Sequence, residues 1–180
     1  MKKIAIFISG EGTNLRNLIE ECNTNLKDKC EVAIVITSNE KAKGVDFAKK
    51  HGIDSYYFNC DLLSQISISK LLKQKNIDFI FLAGFMRILG SDFVSDWKDK
   101  IINIHPSLLP SFTGANAVQE ALDYGAKITG CTVHYVDETV DGGKIIAQKA
   151  LNIKPNETKE ELHKRIKELE KELYPQILTE

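Results

Sequence analysis

Asn103 and His105 sit two residues apart in the apolar run Ile101-Ile102-Asn103-Ile104-His105, which stops at Pro106. Residues i and i+2 of a strand project from the same face, so the amide and the imidazole stand side by side. Pro106 blocks a helix through His105 and biases that residue to an extended backbone. The pair therefore ends a strand. An amide or imidazole buried there without partners costs roughly 1–3 kcal/mol. A single core histidine reads most simply as a packed, hydrogen-bonded one. The amide beside it and the strand-end position argue instead for proton and hydrogen-bond chemistry. A carboxylate brought close would favour the imidazolium. The loop Asp137-Glu138-Thr139-Val140-Asp141-Gly142-Gly143 offers Asp141. The same Asp-Gly pair also suits a plain hairpin turn, and spacing alone does not bring Asp141 to His105.

Two more segments carry chemistry. Ser9-Gly10-Glu11-Gly12-Thr13-Asn14-Leu15 follows an apolar run and opens a helical pattern. Backbone N–H groups at such a helix start attract anions, which makes the segment a candidate phosphate cradle. It is equally a tight turn capped by Thr13 or Asn14. Leu15 occupies the place of the third glycine of a dinucleotide fingerprint, and the P-loop lysine is missing. Ala83-Gly84-Phe85-Met86-Arg87-Ile88-Leu89 follows another strand-like run. A loop beyond a strand's carboxyl end, rich in large apolar residues, lines a flat aromatic pocket or packs into the core. No GxSxG elbow supports Ser107 as a nucleophile. His51, His134 and His163 have no metal-ligand spacing and read as helix-end, strand-packed and surface residues. No metal is expected.

The elements that must position these groups alternate. Strands are expected at 3–8, 31–37, 56–58, 79–83 and 101–105, with helices at 15–23, 42–51, 64–75 and 91–97. Continuous apolar strands separated by helices imply a parallel sheet covered on both faces. After Pro110 come a loop, a helix at 117–124 stopped by Gly125, and two longer strands near 129–135 and 144–153. Their short polar, Gly-rich connection makes an antiparallel pair. The tail opens with Pro155, and Thr158 with Glu161 forms a capping box before the helical spacing of Leu162, Ile166, Leu169 and Leu173. The fold class expected is an open, mostly parallel, Rossmann-like α/β sheet with antiparallel strands near the C-terminal end.

The 180 residues, with 43% hydrophobic side chains, suffice for one core, and residues 1–180 read as one domain. A net charge of -1 offers no bulk attraction to nucleic acid or membrane. Cys22, Cys30, Cys60 and Cys131 form no CxxC, which argues against a disulfide framework or zinc site and fits a reducing cytoplasm. The apolar start, Ile4 to Ile8, is too short for a signal or membrane segment.

In order, SGEGTNL, LAGFMRIL, NIHPSLLPSFTGANAVQEAL and TVHYVDETVDGGKI resemble the phosphoribosylglycinamide formyltransferases, folate-dependent enzymes of purine synthesis. The resemblance runs from Ile4 to Pro175. It implies formyl transfer from 10-formyltetrahydrofolate to glycinamide ribonucleotide, without nucleic acid, membrane or metal, in a cytoplasmic monomer or homodimer. It implies that Gly12, Thr13 and Asn14 bind the phosphate and that Glu170 contacts the ribonucleotide. Met86, Arg87, Ile88, Leu89 and Val136, with Asn103 and Asp141, would hold the folate. Asn103, His105 and Asp141 would be catalytic. Direct attack by the substrate amine needs no enzyme nucleophile. Asn103 and protonated His105 would steady the oxyanion, with Asp141 orienting His105 and moving protons through water. Two departures stand out. Relatives often carry a basic folate contact near Ser64-Gln65, and many continue with another strand after the tail helix. A formyltetrahydrofolate hydrolase fits less well, given the phosphate cradle and no extra N-terminal domain. A methionyl-tRNA formyltransferase is disfavoured by length and charge. A non-catalytic nucleotide- or folate-binding module would leave Asn103, His105 and Asp141 without a task.

Overall fold

A computed structural model describes residues 1–179. One sheet of seven strands organises them, in the order β3-β2-β1-β4-β5-β6-β7. The strands are β1 (Lys2–Ile8), β2 (Cys30–Thr37), β3 (Ser55–Tyr57), β4 (Phe79–Leu82), β5 (Ile101–His105), β6 (Ile128–Tyr135) and β7 (Ile145–Asn152). The helices are α1 (Thr13–Asn23), α2 (Lys43–Lys50), α3 (Leu62–Gln74), α4 (Ser91–Asp96), α5 (Ala117–Tyr124) and α6 (Lys159–Leu173). A 3₁₀ segment, Tyr174–Thr179, follows α6. β1 to β5 pair in parallel and β6 and β7 antiparallel. This is the mixed sheet expected from the change of rhythm after Pro110. Element ends differ from the sequence reading by a residue or two, where local bonding outweighs hydrophobic pattern.

The strand alternation sorts the core into two layers. Ile4, Ile6 and Ile8 of β1 face Leu15, Leu18 and Ile19 of α1 and Leu162 and Ile166 of α6. Ala5 and Phe7 face the other way, against Ile68 and Leu72 of α3 and Phe93, Val94 and Trp97 around α4. Both faces are dry at the centre of the sheet, which is why β1, β2 and β4 are largely apolar, whereas the edge strand β3 carries the exposed Tyr56 and Tyr57. Cys22 and Cys30, far from any CxxC motif, meet in the first layer with their Sγ atoms 3.2 Å apart.

The order reverses between β1 and β4, with β2 and β3 on one side and β5 on the other. At such a switch point the loops after adjacent strands turn to opposite faces and open a crevice. The segments after β1 and β4 and the end of β5, all singled out by their chemistry, lie at this edge of the sheet. α6 brings Glu170, and the 3₁₀ segment after it Tyr174, beneath them. Its start is a complete capping box: Thr158 Oγ1 accepts from the Glu161 N–H at 3.3 Å, and Glu161 Oε2 accepts from the Thr158 N–H at 2.9 Å. Thr158→Ala is expected to cost about 1 kcal/mol, read as a lower urea midpoint with an unchanged slope.

Candidate active site

Asn103 and His105 point to one side of β5, as the alternation requires. Antiparallel pairing with β6 sets Asn103 directly opposite His134 and His105 opposite Thr132. Asn103 Nδ2 lies 3.2 Å from His134 Nε2. His105 is only 5% exposed, and its Nε2–H donates to the Phe112 carbonyl at 2.8 Å. The Nδ1 edge is thereby turned the other way, towards Asp141. Phe112 has φ 53, a left-handed backbone that costs a bulky residue about 1–3 kcal/mol. That conformation aims its carbonyl at the imidazole, and Ser107 Oγ donates to the same oxygen at 3.1 Å.

The β6–β7 connection is a hairpin loop, as its Gly-rich sequence suggests, and it also folds back. Asp141 Oδ2 lies 3.5 Å from His105 Nδ1 and Oδ1 lies 3.8 Å from His134 Nε2. The Gly114 N–H donates to Asp141 Oδ2 at 2.7 Å. Asp141 itself has φ 52, tolerable because aspartate is among the residues that visit this region. Gly143 closes the loop where no side chain fits, since a Cβ would stand 1.8 Å from the Tyr135 carbonyl oxygen. One carboxylate thus faces two imidazoles. The nearest fixed partner orienting His105 is the Phe112 carbonyl, not Asp141.

His134 is the residue that sequence reasoning passed over as a packed strand histidine. It is buried at 2% exposure and belongs to the polar cluster. Burial pulls its pKa below the ordinary imidazole range, with the charge of His105 adding to the effect; the Tyr135 carbonyl and the Asp141 and Asp137 carboxylates oppose it. Only the β5–β6 register, a long-range property, reveals its place across from Asn103.

At the crevice's other wall, α1 opens without a side-chain cap. Gly12 takes the N-cap place at φ 75, so neither Thr13 nor Asn14 caps the helix as the simple-turn reading required. A Cβ on Gly12 would approach Gly44 Cα at 2.9 Å. The first turn holds no acidic residue, so its N–H groups and dipole favour an anion. Asn14 Nδ2 donates to Glu170 Oε2 at 2.9 Å. Burial raises the Glu170 pKa, against the opposing hydrogen bond from Asn14 and the Lys167 charge. Asn17 Nδ2 also donates to the Lys171 carbonyl at 2.8 Å, so α1 and α6, over 150 residues apart in sequence, are joined by polar contacts.

The segment after β4 splits its apolar residues. Leu89 packs into the second layer, while Met86 and Ile88 stand 73% and 82% exposed. Val136 packs at the edge of that layer. The segment is thus neither wholly core nor wholly free, and presents an apolar surface suited to a flat ring. Ser9 Oγ accepts from the Met86 N–H at 2.8 Å, tying this segment to the β1 loop. Near Ser64, where this sequence departs from the resemblance by lacking a basic residue, Gln65 braces the segment. Its Oε1 accepts from the Gly90 N–H at 2.8 Å and its Nε2 donates to the Cys60 carbonyl at 3.0 Å. Among the described residues, no group of three histidine, cysteine or acidic side chains gathers as for a metal. No helix there is long and apolar enough to cross a membrane.

The model of the formyl transferase family matches residues 2–178. The chain belongs to the formyl transferase family. Solved structures of similar proteins share the fold. A glycinamide ribonucleotide transformylase from Symbiobacterium toebii superposes with a TM-score of 0.93 at 34% identity, covering 99% of this chain and 86% of that one. A phosphoribosylglycinamide formyltransferase from Bacillus halodurans gives 0.90 at 40% identity, covering 98% and 93%. The trifunctional purine biosynthetic protein adenosine-3 of Bos taurus is 41% identical over 181 residues, 98% of this chain. The chain spans 18% of that relative's length, so within the formyl transferase family the same fold also occurs as one part of a larger polypeptide.

Proposed function

We propose that the chain transfers a formyl group from 10-formyltetrahydrofolate to the amine of glycinamide ribonucleotide, a step of purine biosynthesis. The observation that carries this reading is the convergence of Asn103, His105 and Asp141 beside a phosphate-type helix start and an apolar, exposed loop. The family and the named relatives support it. The reading takes residues 1–180 as one cytoplasmic formyltransferase domain acting on two small molecules, as monomer or homodimer, with no nucleic-acid or membrane partner and no metal.

Gly12, Thr13 and Asn14 receive the phosphate at the uncapped start of α1, and Glu170 meets the ribonucleotide beyond it. Met86, Arg87, Ile88 and Leu89 take the folate ring from one side, and Val136, Asn103 and Asp141 from the other. The folate supplies the formyl carbon and a nitrogen leaving group. The substrate amine attacks that carbon directly, and the carbonyl oxygen becomes an oxyanion. Asn103 Nδ2 donates one N–H to it. His105 has spent Nε2–H on Phe112, so its protonated Nδ1 edge supplies the second donor. Asp141 stabilises that imidazolium and relays the amine's proton, through water, to the departing nitrogen. The new C–N bond replaces the old one, and one proton changes nitrogen.

Gly12→Ala is expected to raise KM for the ribonucleotide at least tenfold with little change in KM for the folate. It forces an alanine to positive φ, worth about 1–2 kcal/mol, and drives its Cβ against Gly44. Absorbance of the folate, followed with and without glycinamide ribonucleotide, tests the reaction itself. Turnover is expected only with the ribonucleotide. Equal folate consumption in its absence identifies a hydrolase and removes the proposal.

A further inference from the structure

We propose that His134 is a positioning residue that fixes the side-chain amide of Asn103, accepting one of its N–H groups and aiming the other into the site. The inference rests on the formyl-transfer reading for its catalytic consequence, though not for its geometry.

A backbone carbonyl sets the tautomer of His134. His134 Nδ1 lies 2.9 Å from the Tyr135 oxygen. A carbonyl has no proton to give, so Nδ1 carries the hydrogen. In a neutral imidazole the other nitrogen is then a bare lone pair. That nitrogen, Nε2, faces Asn103 Nδ2 at 3.2 Å. Only the amide's NH2 end is compatible with a lone pair, because the reversed amide would set Oδ1 against it. The register holds Asn103 and His134 opposite each other, so neither side chain must be ordered afresh when substrate arrives. Such prepaid orientation is what makes a hydrogen-bond donor effective towards developing charge.

The arrangement depends on a neutral His134. The titratable groups facing it are His105 from β5 and Asp141 and Asp137 from the loop after β6. Burial and His105 disfavour its charge, so the neutral form prevails at pH 7. As pH falls through the lowered pKa, Nε2 gains a proton. It then opposes the Asn103 NH2 group and attracts Asp141 Oδ1, 3.8 Å away, in competition with His105. One protonation thus disturbs all three proposed catalytic side chains on the acid side.

Nitrogen-15 NMR on the whole chain tests the pairing without any turnover. The Asn103 amide signals are assigned by their loss in Asn103→Ala. The expected result at neutral pH is a His134 ring protonated at Nδ1 with Nε2 bare, and Asn103 amide signals that shift when His134 titrates. They should also shift in His134→Phe. An Nε2-protonated ring, or Asn103 signals identical in wild type and His134→Phe, overturns the inference. In the formyl-transfer assay His134→Phe is expected to lower kcat about tenfold with both KM values nearly kept, the worth of one hydrogen bond. His134→Gln, whose amide oxygen accepts but does not titrate, should recover most of kcat and lose the His134 component of the acid limb. A folded, active His134→Phe with normal kcat also overturns it. A wild type with the stated tautomer but no formyl transfer removes the functional reading and leaves the pairing standing.

Discussion

Asp141→Ala is expected to lower kcat for formyl transfer by about 10²–10⁴-fold, or about 3–5 kcal/mol on the barrier. The size follows from the carboxylate's position. It lies 3.5 Å from His105 and 3.8 Å from His134, in a largely buried place where water screens little. On the proposed mechanism, its loss removes both the partner of the imidazolium and the proton relay. It also strips the Gly114 N–H of its acceptor, so part of the effect is local loosening of the 111–116 loop. Asp141→Asn separates the two. An asparagine keeps an oxygen for Gly114 but carries no charge. Its kcat is expected to fall nearly as far while its thermal midpoint stays near wild type. His105→Ala should fall in the same range. Near-normal turnover in Asp141→Asn and His105→Ala, measured under saturating substrates, removes these residues from the mechanism.

The second large effect is on stability. Tyr174 is fully buried, its ring centroid 5.1 Å from that of Phe81. Its hydroxyl stands 3.0 Å from the Leu82 carbonyl and 2.9 Å from that of Ile102. Those carbonyls lie on β4 and β5, just before the apolar loop and Asn103. One hydroxyl therefore ties the segment after α6 to the two strands that carry the site. Burial, reinforced by the nearby Glu170 charge, keeps the phenol protonated by pushing its pKa far up. Tyr174→Phe retains the ring and deletes the donor, leaving buried carbonyls short of a partner. The expected cost is about 1–3 kcal/mol, seen as a fall of about 2–4 °C in Tm per kcal/mol. Tyr174→Ala adds a cavity and is expected to cost about 3–5 kcal/mol. Well below its own Tm, the Phe variant should lose far less kcat than Asp141→Ala. An unchanged Tm in Tyr174→Phe would show that the hydroxyl bonds contribute nothing net.

The parts of this molecule that were legible in its sequence are those written locally. The alternation of apolar runs and helical patterns predicts the sheet and its helices, because two dry faces require apolar strands at the centre of the sheet. Thr158 and Glu161 announce their capping box in four residues. The place of Asn103 and His105 at a strand end follows from Pro106. What was not legible depends on distant segments. Nothing near His134 distinguishes it from a packed histidine until β6 is laid antiparallel against β5. Phe112 has no local sign that its carbonyl will orient His105, since its left-handed backbone is imposed by the loop around it. Gln65 bracing Gly90 was hidden for the same reason, as was the meeting of Cys22 with Cys30. The fold-back of Asp141 lay between these cases. The residue was identifiable by type and motif, and its reach to His105 required the whole hairpin.

The proposed mechanism turns on direct transfer, in which the acceptor amine attacks the formyl carbon and no enzyme group carries it. A rapid-quench single turnover with a carbon-13 formyl label on the folate, read by mass spectrometry of both the protein and the small molecules, tests this most directly. The label is expected to pass to the ribonucleotide amine with the same rate constant at which it leaves the folate, and the protein mass is expected never to change. A labelled protein that appears and decays at the turnover rate, or labelled formate released while the ribonucleotide remains unformylated, would contradict direct transfer.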